Sequence, residues 1–252
     1  MKIIKVNNRE HVVQDHWFWE EFEKEFWEEQ TYKVYEKYID SDTTYVDIGA
    51  WIGATIFYAR EFTKKPIYAV EANPLSYSML YENCKALAKI SNFCITDIDN
   101  LQVSFGGKDN QMNTSSNSNI NGNCWRIESK RLSTYLSENG LLEQEKLFIK
   151  IDIEGAEELI LKDLEFLRFF ADITIYLSIH PPFMKDKKSF CDKLLSFCYD
   201  FKTVLDSNMQ ELPKDRLEQM IMTDEEYPEW GTKYGNFFEI VLTNKGGDVI
   251  NE

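Results

Sequence analysis

Four charged residues crowd one glycine in the stretch KLFIKIDIEGAEELIL: Lys150, Asp152, Glu154 and Glu157 stand around Gly155. A period of two places Lys150, Asp152 and Glu154 on one face of a strand. Charges in so apolar a setting are costly unless they are paired or used. The structural reading is a lysine–carboxylate pair at a strand end, with Lys150 serving its acids rather than acting alone. The chemical reading sets the group at a pocket floor, where carboxylates take a proton or orient an acceptor. Further on, ITIYLSIHPP ends a strand in His180, and two prolines stiffen the exit. His180 is the first candidate for a general base, against a packed ring bonded to the backbone; Asp152 and Glu154 are its rivals. Their D-x-E spacing has no third ligand at metal-like spacing, so no metal is expected.

A second group lies in YVDIGAWIGATIFYAR, residues 45–60. This is a strand, a glycine turn and a helix. Gly49 permits the tight turn, and Gly53 lets the following helix approach a ligand. Asp47 stands just before them. The next strand, YAVEANP, ends in Glu71, a carboxylate able to accept hydrogen bonds from two ribose hydroxyls. Such an acid suits NAD and S-adenosylmethionine (SAM) equally, and the first turn separates them. A dinucleotide sets its pyrophosphate on the helix N-terminus, where Asp47 would repel it. SAM carries a sulfonium and an ammonium and no phosphate, so SAM fits better. A nicotinamide-dependent sugar dehydrogenase would want a Tyr-x-x-x-Lys pair. YKVYEKY places tyrosines near lysines only upstream of the glycine turn.

The elements that must position these groups alternate from residue 44 onward. TYVDIG, PIYAVEA, FCITDI, LQVSF, KLFIKIDIEG, ADITIYLSIHPP, TVLDSN and NFFEIVLTNK read as strands. ATIFYAREFT, PLSYSMLYENCKALAKI, RLSTYLSENG, AEELILKDLEFLRFF and KSFCDKLLSFCYDF read as helices. Strands alternating with helices predict a parallel sheet covered on both faces. Residues 14–39, with Phe18, Phe22 and Phe26 at four-residue spacing, predict a helical hairpin or broken helix that covers the domain or a pocket. The expected division is an extension over residues 1–43 and one domain over 44–252. Between Gly106 and Asn123 an Asn/Ser/Gly-rich loop offers Ser115, Ser116, Asn117 and Asn119 to a polyhydroxylated acceptor, or is a solvated connection. Asp97 is placed near an adenine, and Trp51 and Trp125 stack on a ligand or pack.

The net charge of −15, from 43 acids and 28 bases, argues against nucleic-acid partners. Five cysteines without a C-x-x-C pair read as reduced buried thiols. No apolar run approaches a membrane span, so a soluble cytoplasmic protein is expected. The aromatics of residues 17–38 suggest a homodimer contact.

VDIGAWIG, VEANP and IKIDIEGAE, in this order, resemble the glycine motif, the ribose motif and the most distinctive signature of the FkbM family of SAM-dependent methyltransferases. The resemblance spans about residues 44–182, and more loosely the last strands. It implies a Rossmann-like class I methyltransferase fold: an α/β, seven-stranded, mostly parallel sheet with an antiparallel last strand. It implies SAM as methyl donor, S-adenosylhomocysteine as product, and an oxygen nucleophile, often a sugar hydroxyl, as in surface polysaccharide or capsule assembly. Cofactor contacts map to Asp47, Gly49, Ala50, Trp51, Gly53, Glu71 and Asn73. Trp51 replaces the family's frequent Asn, and Ser178 stands where a Glu often precedes the histidine. The alternative acceptor is a phosphate ester, a phosphoramidate or an amine.

Overall fold

The computed structural model describes residues 1–6, 9–24, 28–107, 114–115, 123–223 and 237–245. The chain opens with a hairpin, β1 (Lys2–Val6) and β2 (Arg9–Val13), then α1 (Phe18–Lys24) and α2 (Glu29–Tyr38). Next come β3 (Thr44–Ile48), α3 (Ala54–Phe62), β4 (Ile67–Val70), α4 (Pro74–Cys84) and β5 (Ala88–Ser91). A small group follows: β6 (Cys94–Ile95), β7 (Gln102–Gly107), β8 (Thr114–Ser115) and β9 (Asn123–Lys130). The remainder is α5 (Leu132–Glu138), β10 (Leu147–Ile151), α6 (Glu157–Leu164), β11 (Ile173–Ile179), α7 (Lys187–Cys198), β12 (Thr203–Asp206), α8 (Lys214–Met222) and β13 (Phe238–Thr243).

Seven strands form one sheet in the order β12-β13-β11-β10-β3-β4-β5. From β11 to β5 neighbours run parallel, and the last strand, β13, is antiparallel to both β11 and β12. The predicted Rossmann-like α/β sheet is therefore the observed one. Its central strands β3, β10 and β11 are buried along their whole length, as parallel strands covered on both faces must be. Ile48, Ile149 and Leu177 face a core shared with α5, α6, α7 and α8. Alternate residues Tyr45, Phe148 and Tyr176 face the other core, built with Phe18, Trp19 and Tyr35 of the N-terminal segment and Ile56 of α3. The same period of two puts Asp47, Lys150 and Ser178 on that second face, with Lys150 opposite Asp47 and Glu239 opposite Ser178.

Three assignments differ from the expectation. PLSYSMLYENCKALAKI is not one helix: α4 stops at Cys84, and residues 88–91 form the edge strand β5. Alanine and lysine favour helix locally, and pairing with β4 overrides them. FCITDI and LQVSF do not join the main sheet but build a four-stranded sheet, β6-β9-β7-β8. Its longest strand, β9, was hidden beside the polar loop. The hairpin β1–β2 was not read at all, whereas the broken helix of residues 14–39 forms as α1 and α2. Of that segment's aromatics, Phe18, Trp19, Phe22, Tyr35 and Tyr38 are buried in the chain's own core, Trp17 is exposed, and Phe26 and Trp27 lie outside the described residues. Cys84, Cys94, Cys191 and Cys198 are buried and, among the described residues, in no disulfide. Among the described residues no helix is long and apolar enough to cross a membrane.

Candidate active site

A cleft opens at the carboxyl ends of β3, β4 and β10, where an open parallel sheet leaves room for a ligand. Its empty space, open solvent included, is about 830 Å³. Its walls are residues 49–51 after β3, Glu71 and Ala72 after β4, residues 93–95, Lys150, and residues 152–154 after β10. Glu28 reaches in from the turn before α2.

The glycine turn is built by contact with the third landmark. Gly49 has φ +83°, and a Cβ there would stand 1.7 Å from the Asp152 carbonyl oxygen, so only glycine fits. The Gly49 and Ala50 N–H groups donate to the Val70 carbonyl at 2.9 and 3.0 Å. Trp51 gives its N–H to Glu71 Oε2 at 2.8 Å, and Asn73 gives its N–H to Glu71 Oε1 at 2.7 Å. Burial pushes the Glu71 carboxyl up to about 7, against the pull of these two donors. Its remaining lone pairs can accept from hydroxyls. The loop amide a pyrophosphate would take is already given to a carboxylate, which argues against a dinucleotide on the geometry as well.

The charged residues of IKIDIEGAE meet His180 beside this turn. Lys150 Nζ lies 3.0 Å from Asp152 Oδ2 and 4.0 Å from Asp47 Oδ1. Burial opposes the Lys150 charge, but Asp152 and Asp47 prevail and raise its pKa. Asp47 is fully buried behind the cleft wall, where the Tyr45 and Thr55 hydroxyls donate to Oδ2 at 3.0 and 2.5 Å. Burial raises its carboxyl against the Lys150 charge. Burial also opposes ionisation of Asp152, yet Lys150, then His180, hold it below the usual range, with the Ser178 hydroxyl also bonded to it. Glu154, at φ +55°, turns its Oε2 to 3.8 Å from His180 Nε2. Burial pushes its carboxyl up to about 8.

His180 Nδ1 lies 2.8 Å from Glu157 Oε1, and Nε2 lies 3.5 Å from Asp152 Oδ1. Burial would lower its pKa, but Glu157 above all, with Glu154 and Asp152, raises it to about 10. Phe183 stacks on the ring at 6.1 Å and Phe237 meets it edge-on at 4.9 Å. With Nδ1 engaged by Glu157 and the ring outside the cleft lining, His180 stands behind two carboxylates that do line the cleft.

Of the other expected residues, Gly49, Ala50, Trp51, Glu71, Lys150, Asp152 and Glu154 line the cleft, and Asp47 backs it through Thr55. Gly53 faces away from any ligand: a Cβ there would stand 2.4 Å from Cys84 Sγ, so its role is the approach of α4. Asn73 caps α4, its side chain accepting from the Leu75 and Ser76 N–H groups. Asp97 is exposed and outside the lining, and Phe93, Cys94 and Ile95 form that wall instead. Trp51 is held by Phe18 at 4.6 Å and His16 at 5.5 Å, so it packs on the N-terminal segment. Trp125 packs against Cys94 and Ile127. Ser115 lies in β8, paired with Gly106, while Ser116, Asn117 and Asn119 fall outside the described residues. The reading missed Glu28 and Thr55, whose signals are only long-range, and Glu239, visible only through strand register.

The model of the Methyltransferase FkbM domain matches residues 47–206. No curated protein matches the chain. Similar solved structures include precorrin-6y C5,15-methyltransferase from Geobacter metallireducens, at 13% identity and TM-score 0.41, with 84% of this chain and 86% of that one covered. A TehB-like SAM-dependent methyltransferase from Corynebacterium glutamicum stands at 8% identity and TM-score 0.45, with 86% and 88% covered. M. jannaschii TYW2 in complex with AdoMet stands at 13% identity and TM-score 0.41, with 96% and 83% covered. At such values these likenesses carry no argument of their own. The family match does, because it takes in the glycine turn, Glu71, the Asp152–Glu154 wall and His180 across well over half of the chain. This chain belongs to the FkbM-domain family and is a SAM-dependent methyltransferase.

Proposed function

We propose that the enzyme methylates a hydroxyl of a neutral, sugar-like acceptor. The observation that carries this reading is the side-chain set of the cleft: Glu28, Glu71, Asp152 and Glu154 line it, and the one base in that lining, Lys150, is already engaged by Asp152. Such a wall favours a cofactor bearing a sulfonium and an ammonium. It disfavours a phosphate ester, and so ranks a neutral polyhydroxylated acceptor above the phosphorylated alternative. Glu71 takes the ribose hydroxyls, and Phe93, Cys94 and Ile95 offer an apolar wall to the adenine. Residues 1–43 act as a cover on this side of the sheet, with Glu28 its contact to the cleft.

The acceptor oxygen attacks the sulfonium methyl in line. An O–C bond forms, the S–C bond breaks, and sulfur keeps the electron pair as the thioether of S-adenosylhomocysteine. Holding donor and acceptor aligned supplies most of the acceleration. The hydroxyl proton passes to the ionised form of Glu154, whose share grows as pH approaches about 8, while Asp152, fixed by Lys150, orients the acceptor. The test is S-adenosylhomocysteine release from SAM with a panel of neutral sugars, glycosides, phosphate monoesters and amines. Turnover with a neutral sugar, reduced about 10²–10⁴-fold in kcat by Glu154→Gln, is expected. Turnover confined to phosphate esters or amines would remove the acceptor class.

A further inference from the structure

We infer that Asp152, Glu154 and His180 form a binding site for one divalent first-row metal ion. One donor atom from each residue lies within 4.8 Å of the others. His180 Nε2 stands 3.5 Å from Asp152 Oδ1 and 3.8 Å from Glu154 Oε2. Those separations are close to the edge of a ligand polyhedron, roughly 3.4 Å for bonds of about 2.1 Å in a tetrahedral arrangement.

Each donor is held for this use by something else. The Glu157 carboxylate, fully buried, takes His180 Nδ1 at 2.8 Å and so aims Nε2 into the cluster. A carboxylate behind a histidine is the usual outer support of a metal-bound imidazole. Lys150 engages Asp152 through Oδ2, which leaves Oδ1 to the cluster. Glu154 Oε2 is buried and has no hydrogen-bond partner among the described residues. Its backbone sits at φ +55°, a conformation that costs about 1–2 kcal/mol for a residue with a side chain. A buried oxygen without a hydrogen bond, held by a strained backbone and pointing at a ring nitrogen and another carboxylate, suits a cation placed among them. The rival occupant is a proton on Nε2.

Two carboxylate oxygens and one imidazole nitrogen, without a thiolate, suit manganese or zinc better than a soft ion. Asp152 and Glu154 also line the cleft, so open coordination positions would face it. There they could take an oxygen of the acceptor, a clause that rests on the hydroxyl-methylation reading. The second Glu154 oxygen stays available to the acceptor's proton.

The probe is Mn²⁺ added to chelator-dialysed full-length protein. Loss of the free-ion resonance counts bound ions, and pulsed resonance looks for coupling to imidazole nitrogen. One ion per chain with a nitrogen coupling is expected, and the coupling disappears in His180→Gln. Glu157→Gln, which leaves all three donors in place, weakens uptake about 10–100-fold. The nitrogen coupling in the unmodified protein needs no variant to fold. Absence of uptake at millimolar Mn²⁺, or uptake with no nitrogen coupling, overturns the site. Titration with S-adenosylhomocysteine alongside separates the two readings. Cofactor binding without Mn²⁺ uptake sinks the metal site alone; Mn²⁺ uptake without cofactor binding sinks the methyltransfer reading and leaves the site standing.

Discussion

Glu71 accepts N–H bonds from Trp51 and Asn73, and burial still leaves its carboxyl at about 7. Under the proposed function this acid takes a pair of ribose hydroxyls, so its charge state should be visible in cofactor affinity. Ribose hydroxyls bond the ionised form more strongly than the neutral one. Affinity for S-adenosylhomocysteine should therefore rise with pH up to about 7 and level off above it, falling by at most tenfold per unit on the acid side. Calorimetric titrations at several pH values check this. A flat profile between pH 5.5 and about 8 would mean that Glu71 does not carry the ribose. The site was most legible at residues whose chemistry is local. Asp47, Glu71, Lys150, Asp152 and Glu154 stand out as charges at the ends of apolar runs, and all five lie at or just behind the cleft. His180 was legible as a strand end, but its partner was not: the Glu157 carboxylate at 2.8 Å from Nδ1 lies 23 residues away in sequence and meets the ring only in the fold.

At the scale of elements, the glycines divide by what they touch. Gly53 has φ +100° and a Cβ there would meet Cys84 Sγ at 2.4 Å and Leu80 at 3.1 Å, whereas Gly140 has φ +65° and open space. Gly140→Ala should cost only the left-handed backbone, about 1 kcal/mol. Gly53→Ala adds overpacking against α4, a further 1–3 kcal/mol, and should lower Tm by correspondingly more. Equal shifts in thermal melts of the two variants would mean that α4 yields freely and does not clamp the turn. Strands β3, β4, β10 and β11 were legible because each is a short apolar run ended by turn or breaker residues. Edge strand β5 was not, since Ala88 and Lys89 are helix formers and only pairing with Ile67 and Tyr68 makes them a strand. The small sheet was missed for a related reason: β9 is defined by β7, its partner across the Asn/Ser-rich loop.

At the scale of the whole molecule, a few buried acids set the response to pH. Burial pushes Glu28 up to about 8 and Glu71 up to about 7. A carboxyl raised in the folded state keeps its proton there after the unfolded chain has lost its own, so stability falls as pH rises through that interval. The net charge of −15 adds self-repulsion in the same sense. Tm of the ligand-free protein should decline from about pH 5 to about pH 8. A Tm that climbs over this range would show these acids to be ionised and paired instead. The domain's extent was harder to see than its motifs, because Phe18, Trp19 and Tyr35 share a core with Ile56 and Phe148 of the sheet. The N-terminal segment meets the sheet through aromatics far away in sequence.

The occupant of the cleft and Glu71 as its anchor are the two points on which the proposed chemistry depends. Calorimetric titration of the protein and of its Glu71→Ala variant with S-adenosylhomocysteine, with NAD as a parallel ligand, tests both. Binding of S-adenosylhomocysteine alone, weakened at least tenfold by Glu71→Ala, is the predicted result, since hydrogen bonds to a charged group contribute about 1.5–3 kcal/mol. Binding of NAD, or an affinity for S-adenosylhomocysteine that ignores the loss of Glu71, would contradict it.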